Sequence, residues 1–249
     1  MEADEYALMD RAEDGMWWYR AAHARLAELL QQRIAVASRA TGEPLLDLGC
    51  GTGGVLRALR TALPGLQLVG LDYDAGAARR ASRKALAPVT CGDANRLPFR
   101  DRCFRAAVSV DVLCHRNVEE DAMLEELHRV LVPGGLLVLN LPAFRWLHSA
   151  HDRRVHNARR YTAPEAHRLL RRAGFAEIEA RYWNSLLLPL MVLQRKLLAR
   201  RRDAPSDVAP FPPWLDRLLG GVDAAEQRLA RAGLRFPAGG SILVTAIRR

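Results

Sequence analysis

Short apolar runs alternate along the chain with segments whose apolar residues recur every three or four positions. Runs at 44–48, 67–71, 104–110 and 136–141 have the density of strands buried on both faces, and a shorter one sits near 88–90. Between them, helical spacing predicts helices over 53–63, 74–86, 119–131 and 163–173. Leu63-Pro64-Gly65 and Pro133-Gly134-Gly135 punctuate two of the junctions, and Gly174 ends the helix over 163–173. Phe175 to Trp183 predicts a sixth strand and Ser241 to Ile247 a seventh. Regular alternation of strands and helices is the pattern of an α/β fold, a parallel sheet with helices on both faces.

Two regions depart from that rhythm. Residues 6–40 read as helical, with Trp17, Trp18, Tyr19, Ala22, Leu26, Leu29 and Leu30 at apolar spacing, and predict N-terminal helices. Residues 184–240 form a long connection between the sixth and seventh strands. Within it, 186–202 predicts a helix that begins apolar and ends basic, at Arg195, Lys196, Arg200, Arg201 and Arg202. A proline-rich turn and a helix over 214–232 follow. The insertion is open to four roles: packing on the sheet, capping a pocket, a dimer surface, or peripheral membrane contact through 186–202.

Composition narrows the class. A chain of 249 residues with 49% apolar content holds one sizeable domain, with 1–40 as an N-terminal helical cap and 184–240 as an insertion. The acidic opening Met1-Glu2-Ala3-Asp4-Glu5 predicts no secretory signal, and no run of 18 apolar residues occurs. Cys50, Cys91, Cys103 and Cys114 show no C-x-x-C spacing, so a reducing, cytoplasmic setting is expected. The net charge of +9 comes almost wholly from arginine. It favours anions in general, but no zinc-finger or RNA-recognition signature accompanies it, so a nucleic-acid partner is not expected.

The candidate chemistry begins at Leu45-Leu46-Asp47-Leu48-Gly49-Cys50-Gly51-Thr52-Gly53-Gly54. A buried strand runs there into a glycine-rich turn that feeds a helix N-terminus. Glycines let backbone turn tightly and approach a ligand without a Cβ in the way. Asp72 ends the second strand, where an acid accepts from ribose hydroxyls in doubly wound folds. Cys91-Gly92-Asp93-Ala94, then Leu97-Pro98-Phe99, and later Val132-Pro133-Gly134-Gly135, complete an ordered set. A single glycine turn is weak by itself. Five elements in this order resemble the class I S-adenosylmethionine (SAM) methyltransferases.

That resemblance implies a Rossmann-like sheet of seven strands, with strand seven antiparallel between strands five and six. It implies SAM as cofactor and S-adenosylhomocysteine as product. It places Asp47, Gly49, Cys50, Gly51 and Gly53 around the methionine part, Asp72 and Tyr73 at the ribose, and Asp93 and Ala94 at the adenine. Asp111, after strand four, falls at the methionine end. Met16-Trp17-Trp18-Tyr19-Arg20 resembles a W-W-Y-R segment of some bacterial small-molecule and saccharide-pathway methyltransferases, which makes Trp17, Trp18 and Tyr19 candidates for the acceptor wall.

The acceptor side is less determined. His115 follows Asp111 closely, and three His and one Asp (His148, His151, Asp152, His156) fall within nine residues after strand five. That loop lies where open α/β sheets bind ligands. One reading is general base catalysis by His151 or His156, oriented by Asp152, with His115 nearby. Another is a divalent metal, although H-D-x-x-x-H matches no familiar metal spacing and none is expected. A third is a polar loop ordering Arg159, Arg160 and Tyr161, whose guanidinium groups suit an acidic substrate. The expected activity is transfer of a methyl group to an oxygen or nitrogen atom of a small molecule, in specialised-metabolite or saccharide biosynthesis. The alternatives are a membrane-surface enzyme acting on a lipid-linked intermediate and a non-catalytic SAM-fold scaffold.

Overall fold

The computed structural model describes residues 3–36, 42–195 and 211–249. Seven strands make one sheet: β1 (Leu45–Leu48), β2 (Leu68–Asp72), β3 (Val89–Cys91), β4 (Phe104–Val110), β5 (Leu131–Pro142), β6 (Phe175–Trp183) and β7 (Ser241–Arg248). Their order is β3-β2-β1-β4-β5-β7-β6. β1 to β5 run parallel, and β7 pairs antiparallel with both β5 and β6. The order reverses at β1, where β2 lies on one side and β4 on the other. That switch point opens a crevice at the carboxyl ends of the strands.

Alternation along each strand sends side chains to two separate cores. Leu46, Leu48, Leu137 and Leu139 pack with Met123, Leu124 and Leu127 of α5 (Glu120–Val130) and Leu170 of α7 (Ala163–Arg172). Leu45, Ala106, Val108, Leu136 and Val138 face the other way, onto α2 (Trp17–Val36), α3 (Gly54–Ala62) and α4 (Ala75–Ala85). Asp47 shares the parity of Leu45, so its carboxylate is directed beneath α2 and α3. Each predicted strand and helix of the 44–183 stretch is present within a few residues. β5 alone begins earlier than expected, at Leu131, and carries Pro133 where its register against β4 shifts.

The N-terminal helices are present as expected: α1 (Ala3–Ala12) ends, Gly15 intervenes, and α2 starts at Trp17. The break frees Glu13 to reach the glycine-rich loop. Its carboxylate accepts from Thr52 Oγ1 at 2.5 Å and the Gly54 amide at 3.2 Å, and pairs with Lys84 of α4 at 2.6 Å.

In the insertion, α8 covers Leu188–Leu193, and the basic stretch 196–202 of the expected 186–202 helix lies outside the described residues. α9 (Pro213–Arg231) lies along α2 instead of on the sheet. Arg25 of α2 donates to Asp223 at 2.7 Å, Arg20 meets Asp216 at 2.7 Å, and Arg231 and Gln227 meet Glu28. Glu226 accepts from the Ser185 and Leu186 amides at 2.6 and 2.8 Å, which fixes the corner where β6 becomes α8. In the loop read as irregular, a 3-10 turn (Arg145–Leu147) and a short α6 (Ala150–Arg154) form.

Candidate functional site

A cavity of about 460 Å³ opens over the carboxyl ends of β1, β2, β4 and β5. Its first half is built by the turn after β1. Gly49 and Gly51 hold φ of +77° and +55°, and both line the cavity. A Cβ at Gly49 would come within 2.2 Å of Val112, and one at Gly51 within 2.6 Å of Met9, so only glycine suits this left-handed turn. The Gly49 and Cys50 amides both donate to the Leu71 carbonyl, at 2.7 and 3.0 Å, which ties the turn to β2.

Asp72 closes that tie. Its Oδ2 accepts from the Gly51 amide at 2.8 Å, and its Oδ1 from the Asp74 amide at 2.9 Å and the Tyr6 hydroxyl at 3.1 Å. Burial raises its pKa, partly offset by those donors. Asp93 lies on the same wall beside Ala94, and its Oδ1 caps the Asn95 amide at 2.9 Å. Tyr73 stands exposed at the rim. The structure therefore gathers Gly49, Gly51, Asp72, Tyr73, Asp93, Ala94 and Asp111 around one cavity.

Three predicted cofactor residues stand behind that wall. Asp47 is fully buried, its Oδ2 has no hydrogen-bond partner, and burial with the nearby carboxylates Asp72 and Glu13 pushes its pKa well up. Cys50 turns its thiol inward, against Gly70. Gly53 lies against the Ala81 backbone, where a Cβ would come within 2.8 Å. These three shape the turn from below instead of facing the cavity.

Asp111 sits at the centre, with a left-handed φ of +53°. Its Oδ1 accepts from Asn140 Nδ2 at 2.9 Å, and its own amide donates to the Asn140 carbonyl. Asn140 Oδ1 in turn accepts from Trp183 Nε1 at 2.8 Å. Trp183 is stacked on Trp18 at 5.8 Å, with the Arg25 guanidinium 4.6 Å from its ring. Burial pushes the Asp111 carboxyl up to about 7. Neither Asn140 nor Trp183 was singled out by the sequence, although a lone amide inside the apolar run of β5 was a visible signal.

The second half of the cavity is walled by Trp17, Trp18, Tyr19, His115, His151 and His156, together with Asn184, Met191, Arg195 and Phe211. Burial lowers the His115 imidazole to about 4, so it is neutral near pH 7. Asp152, expected to orient a histidine, is held by α6 and by Arg160. Its oxygens cap α6 at Ser149 (2.7 Å to the amide) and take a two-pronged bond from Arg160 at 2.9 and 3.0 Å, wholly buried. The arginine holds its carboxyl below the usual range against the penalty of burial.

The expected anion-binding trio is corrected in the same way. Arg160 also donates to the Ala143 carbonyl at 2.9 Å, so its fork is engaged although it edges the cavity. Arg159 donates to the His115 and Val118 carbonyls. Tyr161 is buried and donates to the Leu113 carbonyl at 3.0 Å. Arg159 and Tyr161 pin the loop to the segment after β4, which the isolated bridge of His115 with Asn157 reinforces, while Arg160 ties it to the end of β5 and to α6. Among the described residues, no group of three His, Cys, Asp or Glu side chains is placed to hold a metal ion.

Residues 45–135 match a family model described as "Methyltransferase domain". A 24-methylenesterol C-methyltransferase 2 of Oryza sativa subsp. japonica is 37% identical over 130 residues, which is 49% of this chain and 32% of that protein. The chain thus spans about a third of the length of the curated relatives it matches. A Thermotoga maritima structure described as a SAM-dependent methyltransferase, possible histamine N-methyltransferase, superposes with a TM-score of 0.58 at 18% identity, over 99% of this chain and 96% of that one. The [4+2]-cyclase SpnF superposes with a TM-score of 0.55 at 25% identity, over 93% and 82%.

Proposed function

We propose that this chain, whose residues 45–135 form a class I SAM-dependent methyltransferase domain, transfers a methyl group from SAM to an oxygen or nitrogen atom of a small-molecule acceptor. One observation carries the reading. The glycine turn after β1 and the acid ending β2 are joined by the bond from the Gly51 amide to Asp72, at the topological switch point.

The residues present fit such a cofactor. Glu5, Asp72, Asp93 and Asp111 all line the cavity, a donor set that suits a cationic nucleoside with an ammonium group. Gly49 and Gly51 give the turn the left-handed backbone that brings it to the cavity wall. Asp72 would accept from the ribose, sharing its oxygens with the Tyr6 hydroxyl. Asp93 and Ala94 would hold the adenine, Tyr73 would cover its edge, and Asp111 would face the methionine end. SAM supplies an already activated methyl group. The chain's own work is therefore to bind, align and exclude water.

Trp17, Trp18 and Tyr19 bring three aromatic side chains to the acceptor side, and their packing excludes water from it. His151 and His156 stand on the same wall, and a neutral imidazole there would take the proton an O–H or N–H acceptor gives up. The acceptor belongs, in this reading, to specialised-metabolite or saccharide biosynthesis in a reducing compartment, consistent with four free cysteines.

Because a cyclase shares the fold, binding alone does not establish methyl transfer. Calorimetry with SAM and S-adenosylhomocysteine tests the cofactor: absence of heat and of thermal shift for both ends the proposal. Release of S-adenosylhomocysteine across panels of phenols, sugars and amines tests the transfer.

A further inference from the structure

The connection between β6 and β7 leaves apolar side chains uncovered beside the cavity. α8 reads Leu-Pro-Leu-Met-Val-Leu, and none of its six residues is buried. Leu190 and Leu193 are 47% and 48% exposed there. Leu187, just before α8, packs with Phe211, Leu215 and Leu219, so the start of α9 lies beside α8. From that start Trp214 and Leu218 project outward, 65% and 57% exposed, one helical turn apart. At the other end of α8, Arg195 donates to the Leu147 carbonyl at 2.8 Å, beside Trp146, which is 48% exposed. Scattered exposed apolar residues are ordinary. Here five come from three neighbouring segments, and those segments also supply Met191, Arg195 and Phe211 to the cavity wall.

We propose that Trp146, Leu190, Leu193, Trp214 and Leu218 form a rim that seats this protein on an anionic lipid bilayer, so that an amphiphilic acceptor enters the cavity from the membrane surface. The step from rim to acceptor rests on the proposed function; the seating itself does not. Tryptophan and leucine are the side chains that enter the headgroup boundary, and no described helix is long and apolar enough to cross a bilayer, so contact is from one face. The net charge of +9 complements an anionic surface, with Arg217 exposed between Trp214 and Leu218. A protein partner on this rim would cover the route to Met191 and Phe211, whereas a bilayer can deliver a substrate through it.

The test is flotation of the full chain with vesicles of equal parts phosphatidylcholine and phosphatidylglycerol, against phosphatidylcholine alone. The wild type is expected to float with the anionic vesicles and weakly with the neutral ones. The double substitution Trp214→Ala and Leu218→Ala, at side chains outside the cavity wall, is expected to reduce partitioning by about tenfold or more. SAM calorimetry on the same variant is expected to match the wild type. Failure to float, or flotation indifferent to the double substitution, overturns the seating. So does a wild-type dimer in light scattering that the substitution abolishes, because the rim then belongs to a second copy. Loss of SAM binding in the wild type would instead strike the proposed function and leave the flotation result standing.

Discussion

The two halves of the cavity are built from different materials. The half proposed for the nucleotide is made of backbone: the turn at Gly49 and Gly51, tied to the Leu71 carbonyl, and acids at strand ends. The acceptor half is made of side chains brought from four distant segments, with the Asp152–Arg160 pair at its base. Backbone positions follow from strand order and glycine placement, so they come with the fold. Side-chain walls are set by the loops and the insertion, which vary without disturbing the sheet. The contrast teaches that recognising the cofactor half says little about what the other half accepts.

The sharpest way to break the contrast is Asp152→Ala. Removing one partner of a wholly buried pair strands Arg160, at a cost of about 3–5 kcal/mol. Thermal unfolding should fall by roughly 10 °C, while SAM affinity measured by calorimetry on the folded variant stays near wild type. A variant that keeps its melting temperature would show that the pair does not hold the acceptor half. Next in size, Asp72→Ala should weaken SAM by roughly 30- to 100-fold, from loss of a charged acceptor worth about 2–3 kcal/mol, with the fold retained in circular dichroism. Unchanged affinity would put the ribose elsewhere.

Trp183→Phe keeps the ring and deletes the donor to Asn140, leaving a buried carbonyl oxygen unpaired. About 1–2 kcal/mol of stability should go, and the Asp111 carboxyl, followed by carbon NMR, should titrate higher as Asn140 loses its fixed orientation. A further effect is on pH. Asp111 rises from its ordinary 3.8 to about 7 in the folded chain. The folded state therefore binds the proton more tightly, and stability contributed by the protonated form is lost as pH climbs from about 4 toward 7. Asp111→Asn should flatten that part of the unfolding curve. SAM binding should move oppositely, strengthening above about pH 7 as the carboxylate forms.

The sheet was readable because its central strands are largely apolar runs bounded by glycine, proline or acid, while the edge strand β6 alternates polar and apolar residues. Asp72, Gly49 and Gly51 were readable for the same reason: their roles depend on position in the backbone. Asp152, Arg159, Arg160 and Tyr161 were misleading, because a buried ion pair and a cluster of cation–carbonyl bonds use the same residue types as an anion site. The N-terminal helices were readable, but the contact of Glu13 between them with Thr52 and Gly54 was not, since it has no local signature. Tyr6, Asn184 and Arg195 were missed likewise: what each touches is set by segments far away in the chain.

Trp183 carries one more consequence. Its indole is wedged between a second indole and a guanidinium, and its N–H leads through one amide to a carboxyl that titrates near neutrality. Such a ring should change its light emission when the charge at the far end of that relay changes. The protein thus contains an internal optical probe, readable without any attached dye, for whatever arrives next to Asp111.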